Sequence, residues 1–176
     1  MSYFFQMEEL SVGYDGKPVV QNIEASIEKG QILTLIGPNG SGKLTILKSI
    51  TKQLEIINGV AYIGNRRIED IAARELSRQA AVVLTERPKP ELMTCYDVVA
   101  VGRYPYTGML GILSEKDKKK IDDALKMVNC FDLREKDFRQ ISDGQLQRVL
   151  LARAICQEPE IIILDEPTSY LDIRYA

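Results

Sequence analysis

Residues 37–43 combine the residue types and the spacing that hold a chain of phosphates: Gly37, Pro38, Asn39, Gly40, Ser41, Gly42 and Lys43. Glycines allow backbone N–H groups to turn inward around phosphate oxygens, and a lysine that closes such a loop reaches the β- and γ-phosphates. A short apolar run precedes the loop and a helical pattern follows it, so the positive end of a helix adds to the site. These residues therefore predict a nucleoside triphosphate site. The alternative is a glycine-rich turn that binds nothing.

The residue after the lysine departs from this pattern. Leu44 occupies the position at which a serine or threonine places its hydroxyl on Mg²⁺. Thr45 carries a hydroxyl, but its side chain lies about 100° further around the helix and does not simply replace the missing one. We therefore predict that the metal loses one protein ligand here. The alternative is that Leu44 merely packs with Leu47 on the helix.

An acidic pair, Asp165 and Glu166, follows the apolar run at residues 160–164. Ligands of parallel sheets gather at the carboxyl ends of strands. We expect Asp165 to bind Mg²⁺ through its hydration shell and Glu166 to act as the general base on an attacking water. A solvated strand end is the commoner meaning of such a pair alone, but its combination with a phosphate loop favours catalysis.

Apolar runs of buried-strand length at residues 31–36, 80–84 and 160–164 alternate with helical patterns that begin near Gly42 and at residue 68. This alternation predicts a mainly parallel sheet. Earlier in the chain, strands predicted at residues 2–10 and 19–27 flank a turn, and residues 61–63 predict a further strand. The expected fold is therefore α/β with an N-terminal antiparallel β portion.

Residues 85–144 predict a helical insertion. A short helix is expected at residues 96–103, and capping-box pairs begin two further helices at Ser114 and Ser142. We accordingly expect residues 1–84 and 145–176 to form a nucleotide-binding core and residues 85–144 a helical subdomain.

The composition excludes several other classes of function. The 176 residues have a net charge of −2, which gives no support for a nucleic-acid partner. No apolar run reaches the length of a membrane span, and we expect no signal peptide. The absence of histidine excludes Ser-His-Asp, Cys-His and His-metal chemistry. Cys95, Cys130 and Cys156 are widely spaced and are expected to be reduced structural thiols in a cytosolic protein.

A further motif supplies a resemblance to a known family. Ser142, Asp143, Gly144 and Gln145 resemble the signature of the ATP-binding subunits of ABC transporters, and the motifs of that family occur here in the family's order across nearly the whole chain. The other matches are Tyr14, the phosphate loop, the acidic pair, and Ser169, Tyr170, Leu171 and Asp172. Residues 101–105 and 108–114 resemble the branch that serves importers of iron siderophores, haem and cobalamin.

The resemblance implies a P-loop NTPase that binds ATP and Mg²⁺. Two copies would form a homodimer across two ATP molecules, with the phosphate loop of one copy facing residues 142–145 of the other. Tyr14 would stack on adenine, and Thr85, at the position of the glutamine loop, would offer an oxygen to Mg²⁺. The implied partners are integral membrane permease subunits and, indirectly, a periplasmic or surface substrate-binding protein. The implied location is the cytoplasmic face of the membrane.

Three departures from the family pattern accompany Leu44. Asp143 replaces the second glycine of the signature and Thr85 replaces the glutamine, as in relatives of the iron-chelate branch. The chain ends at Ala176, ten residues after Glu166, where family members continue through further strands and a histidine that contacts the γ-phosphate. We therefore expect a C-terminally truncated chain.

Two functions remain open from the sequence. The first is the ATP-hydrolysing motor subunit of an importer for iron chelates or corrinoids. The second is a truncated or degenerate nucleotide-binding module with little or no hydrolysis, which Leu44 and the early end favour. A small-molecule kinase is disfavoured because it gives no reason for the motif at residues 142–145.

Overall fold

The computed structural model describes residues 3–84, 90–108 and 110–166, and the chain divides into two units, Met1–Leu76 and Ser77–Ala176. In the first unit, strands β1 (Phe5–Tyr14) and β2 (Lys17–Ile27) form a hairpin. Asp15 and Gly16 both have positive φ, 50° and 71°, as in the tight turn that Asp-Gly favours. The hairpin confirms the predicted turn, although the strands continue further into it than expected.

Strands β3 (Ile56–Ile63) and β4 (Arg66–Arg67) complete an antiparallel sheet of order β2-β1-β3-β4. Helix α1 (Lys43–Ile50) packs against β1 and β3 through buried side chains that include Ile46 and Ile50. The N-terminal antiparallel portion is therefore confirmed, and it supports the helix that follows the phosphate loop.

The prediction of a buried strand at residues 31–36 is wrong. Among the described residues no strand pairs with them, and Ile32 and Ile36 are each 91% exposed. An apolar run becomes a strand only when a neighbour supplies partners for its backbone N–H and C=O groups. Apolar composition by itself does not provide that neighbour.

The second unit contains the parallel pair β5 (Ala80–Val83) and β6 (Ile161–Leu164), in which Ala80 lies opposite Ile161. Helix α2 (Ala73–Gln79) leads into β5 and follows a separate 3-10 turn at Ile68–Asp70, so the helical pattern predicted from residue 68 is interrupted. Strand β6 was expected to be buried, but Ile162 and Leu164 are each 42% exposed. Only one side of β6 is covered.

Helix α5 (Asp143–Cys156) packs against β5, and α3 (Cys95–Ala100) and α4 (Glu115–Met127) pack against α5. A 3-10 turn, Val101–Arg103, extends α3 and confirms the predicted short helix. The capping boxes at Ser114 and Ser142 are present, and Thr94 forms a third with Asp97. The predicted division at residues 85 and 145 stays a prediction.

The three cysteines lie in the core of this helical unit. Burial raises the pKa of Cys95 to about 11 and that of Cys156 to about 12, and it also raises the pKa of Cys130. These thiols therefore stay protonated near neutral pH. No helix within the described ranges is long and apolar enough to cross a membrane.

Candidate nucleotide-binding site

Two glycines set the path of the phosphate loop. Gly40 and Gly42 have φ values of 80° and 89°, in the left-handed region that side chains other than glycine rarely adopt. Gly42 also caps α1, and a β-carbon there would lie 2.2 Å from Cγ2 of Val20. Position 42 therefore requires glycine both for its dihedral angle and for its contact with β2.

The loop ends where the backbone of α1 begins to bond within the helix. The N–H of Ser41 donates to the carbonyl oxygen of Pro38 at 3.2 Å, and the N–H of Ile46 donates to that of Gly42 at 3.0 Å. The N–H groups of the first helical turn precede this first intrahelical bond. Together with the positive end of the helix dipole, they form a surface suited to an anion.

Lys43 is held across the loop. Its Nζ donates to the carbonyl oxygen of Gly37 at 2.8 Å and to that of Pro38 at 2.9 Å. Both acceptors are neutral carbonyls, so an incoming phosphate would offer the ammonium a charged acceptor in their place. The lysine therefore spans the loop, and its contact with the β- and γ-phosphates stays a prediction.

Leu44 and Thr45 differ in burial. Leu44 is partly exposed, whereas Thr45 is buried, with 5% of its surface exposed. The loss of a Mg²⁺ ligand at Leu44 and the place of Thr45 in the nucleotide site both stay predictions.

The signature segment, residues 142–145, forms the start of α5. The backbone N–H of Ser142 donates to Oε1 of Gln145 at 3.0 Å, and the N–H of Gln145 donates to Oγ of Ser142 at 3.4 Å. Ser142 and Asp143 are exposed, and Asp143 lies in the first turn, where its charge suits the helix dipole. A β-carbon on Gly144 would meet no heavy atom within 4 Å.

The acidic pair lies at the carboxyl end of β6, as the sequence predicts. The N–H of Asp165 donates to the carbonyl oxygen of Val83 at 2.9 Å, which continues the parallel ladder beyond Leu164. Glu166 is exposed and has a φ of 45°. A positive φ costs a residue such as glutamate about 1–2 kcal/mol.

The remaining predicted residues are placed less fully. Tyr14 ends β1 beside the hairpin turn and is 47% exposed, so part of its ring is open to a ligand. Thr85 and residues 169–172 lie outside the described residues. Tyr14 and the phosphate loop belong to the first unit, and the signature segment and the acidic pair to the second. Their predicted roles stay predictions.

The fold and the loop define an α/β protein of the P-loop NTPase class. The sequence model of the ABC transporter family matches residues 20–169, and the chain belongs to that family. This result confirms the resemblance found in the motifs.

Two relatives cover nearly all of this chain. An uncharacterized ABC transporter ATP-binding protein of Methanocaldococcus jannaschii is 49% identical over 168 residues, which are 96% of this chain and 58% of that protein. The iron(3+)-hydroxamate import ATP-binding protein of Bacillus subtilis is 34% identical over 168 residues, 96% of this chain and 62% of its own length. The chain therefore spans about 60% of the length of these relatives.

Solved structures agree with the family assignment. An ABC transporter assigned to the metal-chelate type, in an inward-facing conformation, matches with a TM-score of 0.83 and 28% identity over 98% of this chain and 63% of that one. An ATP-binding cassette solved as a dimer in a post-hydrolysis state with ADP and phosphate matches with a TM-score of 0.81 and 27% identity, over 96% and 76%.

Proposed function

We propose that this chain is the ATP-binding part of a motor subunit that hydrolyses ATP to drive an importer of iron chelates. The observation that carries the proposal is the loop at residues 37–43, in which Lys43 lies across the carbonyls of Gly37 and Pro38 at the start of α1. The iron(3+)-hydroxamate relative supports iron chelates, rather than corrinoids or haem, as the transported class.

The oxygen atoms that the site residues offer determine how well the site can bind Mg²⁺. Asp165 offers hard carboxylate oxygens at the end of β6, which Mg²⁺ prefers, whereas Leu44 offers none and Thr45 is buried. We infer that Asp165, with Thr85 as the resemblance implies, would hold the ion through few protein ligands. When bound, Mg²⁺ screens the charge of the phosphate oxygens.

Glu166 is the candidate catalytic base. Its carboxylate would accept a proton from the attacking water while the water oxygen bonds to the γ-phosphorus and the bond to ADP breaks. The exposed position of Glu166 at the end of β6 is consistent with this role. Tyr14 would stack on the adenine ring.

Gly144 supports the role of the signature segment as a surface for a second copy. Glycine within a helix is less stable than alanine by roughly 0.5–1 kcal/mol. Nothing among the described residues requires glycine here, because a β-carbon would meet open space. We infer that the requirement comes from outside the chain, from an ATP phosphate held by the loop of a partner copy.

The proposed assembly is a homodimer across two ATP molecules, bound to permease subunits at the cytoplasmic face of the membrane. A substrate-binding protein would act on it indirectly, through the permease. The dimeric ATP-binding cassette with ADP and phosphate supports the dimer by analogy. Nucleic acid is not among the proposed partners.

Nucleotide binding by the full-length protein tests the proposal. Lys43→Ala should weaken ATP binding about tenfold or more, as expected when a charged hydrogen-bond donor is lost. Lys48→Ala, on the last turn of the same helix, is the matched control and should bind ATP like the wild type. Glu166→Gln should retain binding and reduce turnover about 10²- to 10⁴-fold. Equal ATP affinity in both lysine variants would refute the assignment of the loop.

A second candidate, a nucleotide-binding module without hydrolysis, is favoured by one observation, the absence of an oxygen at Leu44. The two candidates separate in the same assay. A full-length protein that binds ATP but gives no turnover above its Glu166→Gln variant would be the binding module.

A further inference from the structure

Arg103 is a buried charge that the proposed ATP chemistry does not use. It ends the 3-10 turn after α3 and is 3% exposed. Its Nε donates to Oδ1 of Asp117 at 2.9 Å, and its Nη1 donates to the carbonyl oxygen of Cys156 at 2.7 Å and to Oε2 of Glu158 at 3.0 Å. One guanidinium therefore joins the start of α4 to the end of α5.

Tyr106 continues this network toward β5. The guanidinium carbon of Arg103 lies 4.1 Å from the centroid of the Tyr106 ring. The Tyr106 hydroxyl donates to the carbonyl oxygen of Gln157 at 2.9 Å. The side-chain amide of Gln157 in turn donates to the carbonyl oxygens of Ser77 and Ala80, at 2.5 and 2.8 Å.

The electrostatics suit an arginine at this point. The carbonyl of Cys156 lies at the negative end of the α5 dipole, and two carboxylates face the same guanidinium. Lys120, on α4, forms an ion pair with Glu158. The planar fork of arginine can reach these acceptors and stack on Tyr106 at once, which the single ammonium of a lysine cannot do.

The backbones of the 3-10 turn and of α5 also lie close together. A β-carbon on Gly102 would lie 2.4 Å from the carbonyl oxygen of Arg153, so the 3-10 turn lies directly against the last turn of α5. Just beyond, the N–H of Glu160 donates to the carbonyl oxygen of Gln79 at 2.8 Å, and β6 then pairs with β5. The network thus occupies the place where α5 ends and the chain turns into β6.

We propose that Arg103, Tyr106 and Gln157 form a joint that fixes the direction of α5 relative to β5 and β6. Helix α5 begins with the signature segment, and Asp165 and Glu166 directly follow β6. The joint would hold these two functional ends in the arrangement that turnover needs, so Arg103 is a positioning residue and not a catalytic one. This inference rests on the proposed ATPase function.

The test uses the full-length protein with three variants. Arg103→Lys retains the charge but loses the fork, and Tyr106→Phe removes only the hydroxyl bond to Gln157, so the protein should still fold. Arg139→Lys is the matched control, since Arg139 pairs with Asp137 on an exposed surface of the same unit. The measurements are kcat and KM for ATP, ATP affinity, and amide hydrogen exchange over residues 153–164.

Arg103→Lys should lower kcat about 10- to 100-fold, as expected for misplacement of groups far from the chemistry, with ATP affinity changed less than about twofold. Amide exchange over residues 153–164 should accelerate about tenfold or more, because hydrogen bonds to a charged group are lost. Tyr106→Phe should change kcat and exchange in the same direction by a smaller factor. Arg139→Lys should match the wild type.

Two results would refute the proposal that this joint fixes the direction of α5. One is that Arg103→Lys and Tyr106→Phe have the same kcat and the same amide exchange rates as the Arg139→Lys control. The other is a parallel loss of kcat and ATP affinity, which indicates general destabilisation. By contrast, a wild-type protein without ATP binding or turnover would refute the proposed function itself, and the exchange data would then report the joint independently.

Discussion

A β-carbon on Gly102 would lie 2.4 Å from the carbonyl oxygen of Arg153, a distance that no packed side chain tolerates. The contact joins the turn after α3 to the last turn of α5 through backbone atoms alone. Since φ of Gly102 is not in the left-handed region, the requirement for glycine at this position comes from the close approach itself.

Gly102→Ala should therefore destabilise the protein by about 1–3 kcal/mol, the usual cost of extra volume in a packed region. Gly144→Ala is the matched control, because its β-carbon meets open space on a helix. That variant should be as stable as the wild type or gain up to about 1 kcal/mol. Urea unfolding of both variants measures the difference, and equal midpoints would show that the α3–α5 contact is looser than described.

Leu44→Ser should strengthen Mg²⁺-dependent nucleotide binding more than Mg²⁺-free binding. A hydroxyl restores one oxygen to an ion that otherwise relies on phosphates, water and Asp165, with a gain on the order of 1–2 kcal/mol. Leu44→Ala, which shortens the side chain without adding an oxygen, is the control. Titration calorimetry with Mg²⁺ and with a chelator checks the prediction. Identical metal dependence in the serine and alanine variants would make Leu44 a neutral packing residue.

Stability should fall on acidification through Asp117 and Glu158. The Ser114 hydroxyl and the Arg103 guanidinium lower the pKa of Asp117, and Lys120 and Arg103 lower the pKa of Glu158. The unfolded chain therefore takes up these protons at a higher pH than the folded one. The stabilisation is complete near neutral pH and is lost progressively as the pH falls below about 5, through the ordinary carboxyl pKa values and then through the lowered folded ones.

Urea midpoints measured across this range for the wild type, Asp117→Asn and Glu158→Gln check that linkage. In Asp117→Asn and Glu158→Gln, the free energy of unfolding should fall less on acidification than in the wild type. Ser114→Ala should reduce the part of that fall due to Asp117, since the Ser114 hydroxyl is the largest cause of the lowered pKa of Asp117. A wild-type profile that is flat from pH 7 to about pH 3 would contradict the prediction.

The exposed apolar segment at residues 31–36 should bind hydrophobic dyes in the 176-residue chain. Ile32 and Ile36 are each 91% exposed, and apolar surface of this kind is what such dyes detect. Ile32→Ser with Ile36→Ser should reduce dye fluorescence without reducing stability. The same pair of changes at the buried Ile46 and Ile50 should instead unfold the first unit. Unchanged fluorescence in the exposed pair would place the dye site elsewhere.

Local signals in the sequence determined the starts of α4 and α5 and the phosphate loop, whereas the capping box at Thr94 was not predicted. The boxes at Ser114 and Ser142 need only a hydroxyl and an acceptor three residues later, so they form wherever the helix begins. Gly42 is similar, because its left-handed dihedral angle is a property of one residue. The order of the nucleotide-binding motifs along the chain also gave the resemblance to the ABC transporter family, which the family model confirms.

The tertiary structure decided what depends on distant partners. Residues 31–36 have the composition of a buried strand, yet a strand exists only where another segment offers its backbone. Arg103 is one of the residues 101–105 that suggested the importer branch, but its acceptors come from Asp117, Cys156 and Glu158, as many as 55 positions away. No local pattern encodes such a contact, because it arises from the packing of α3, α4 and α5.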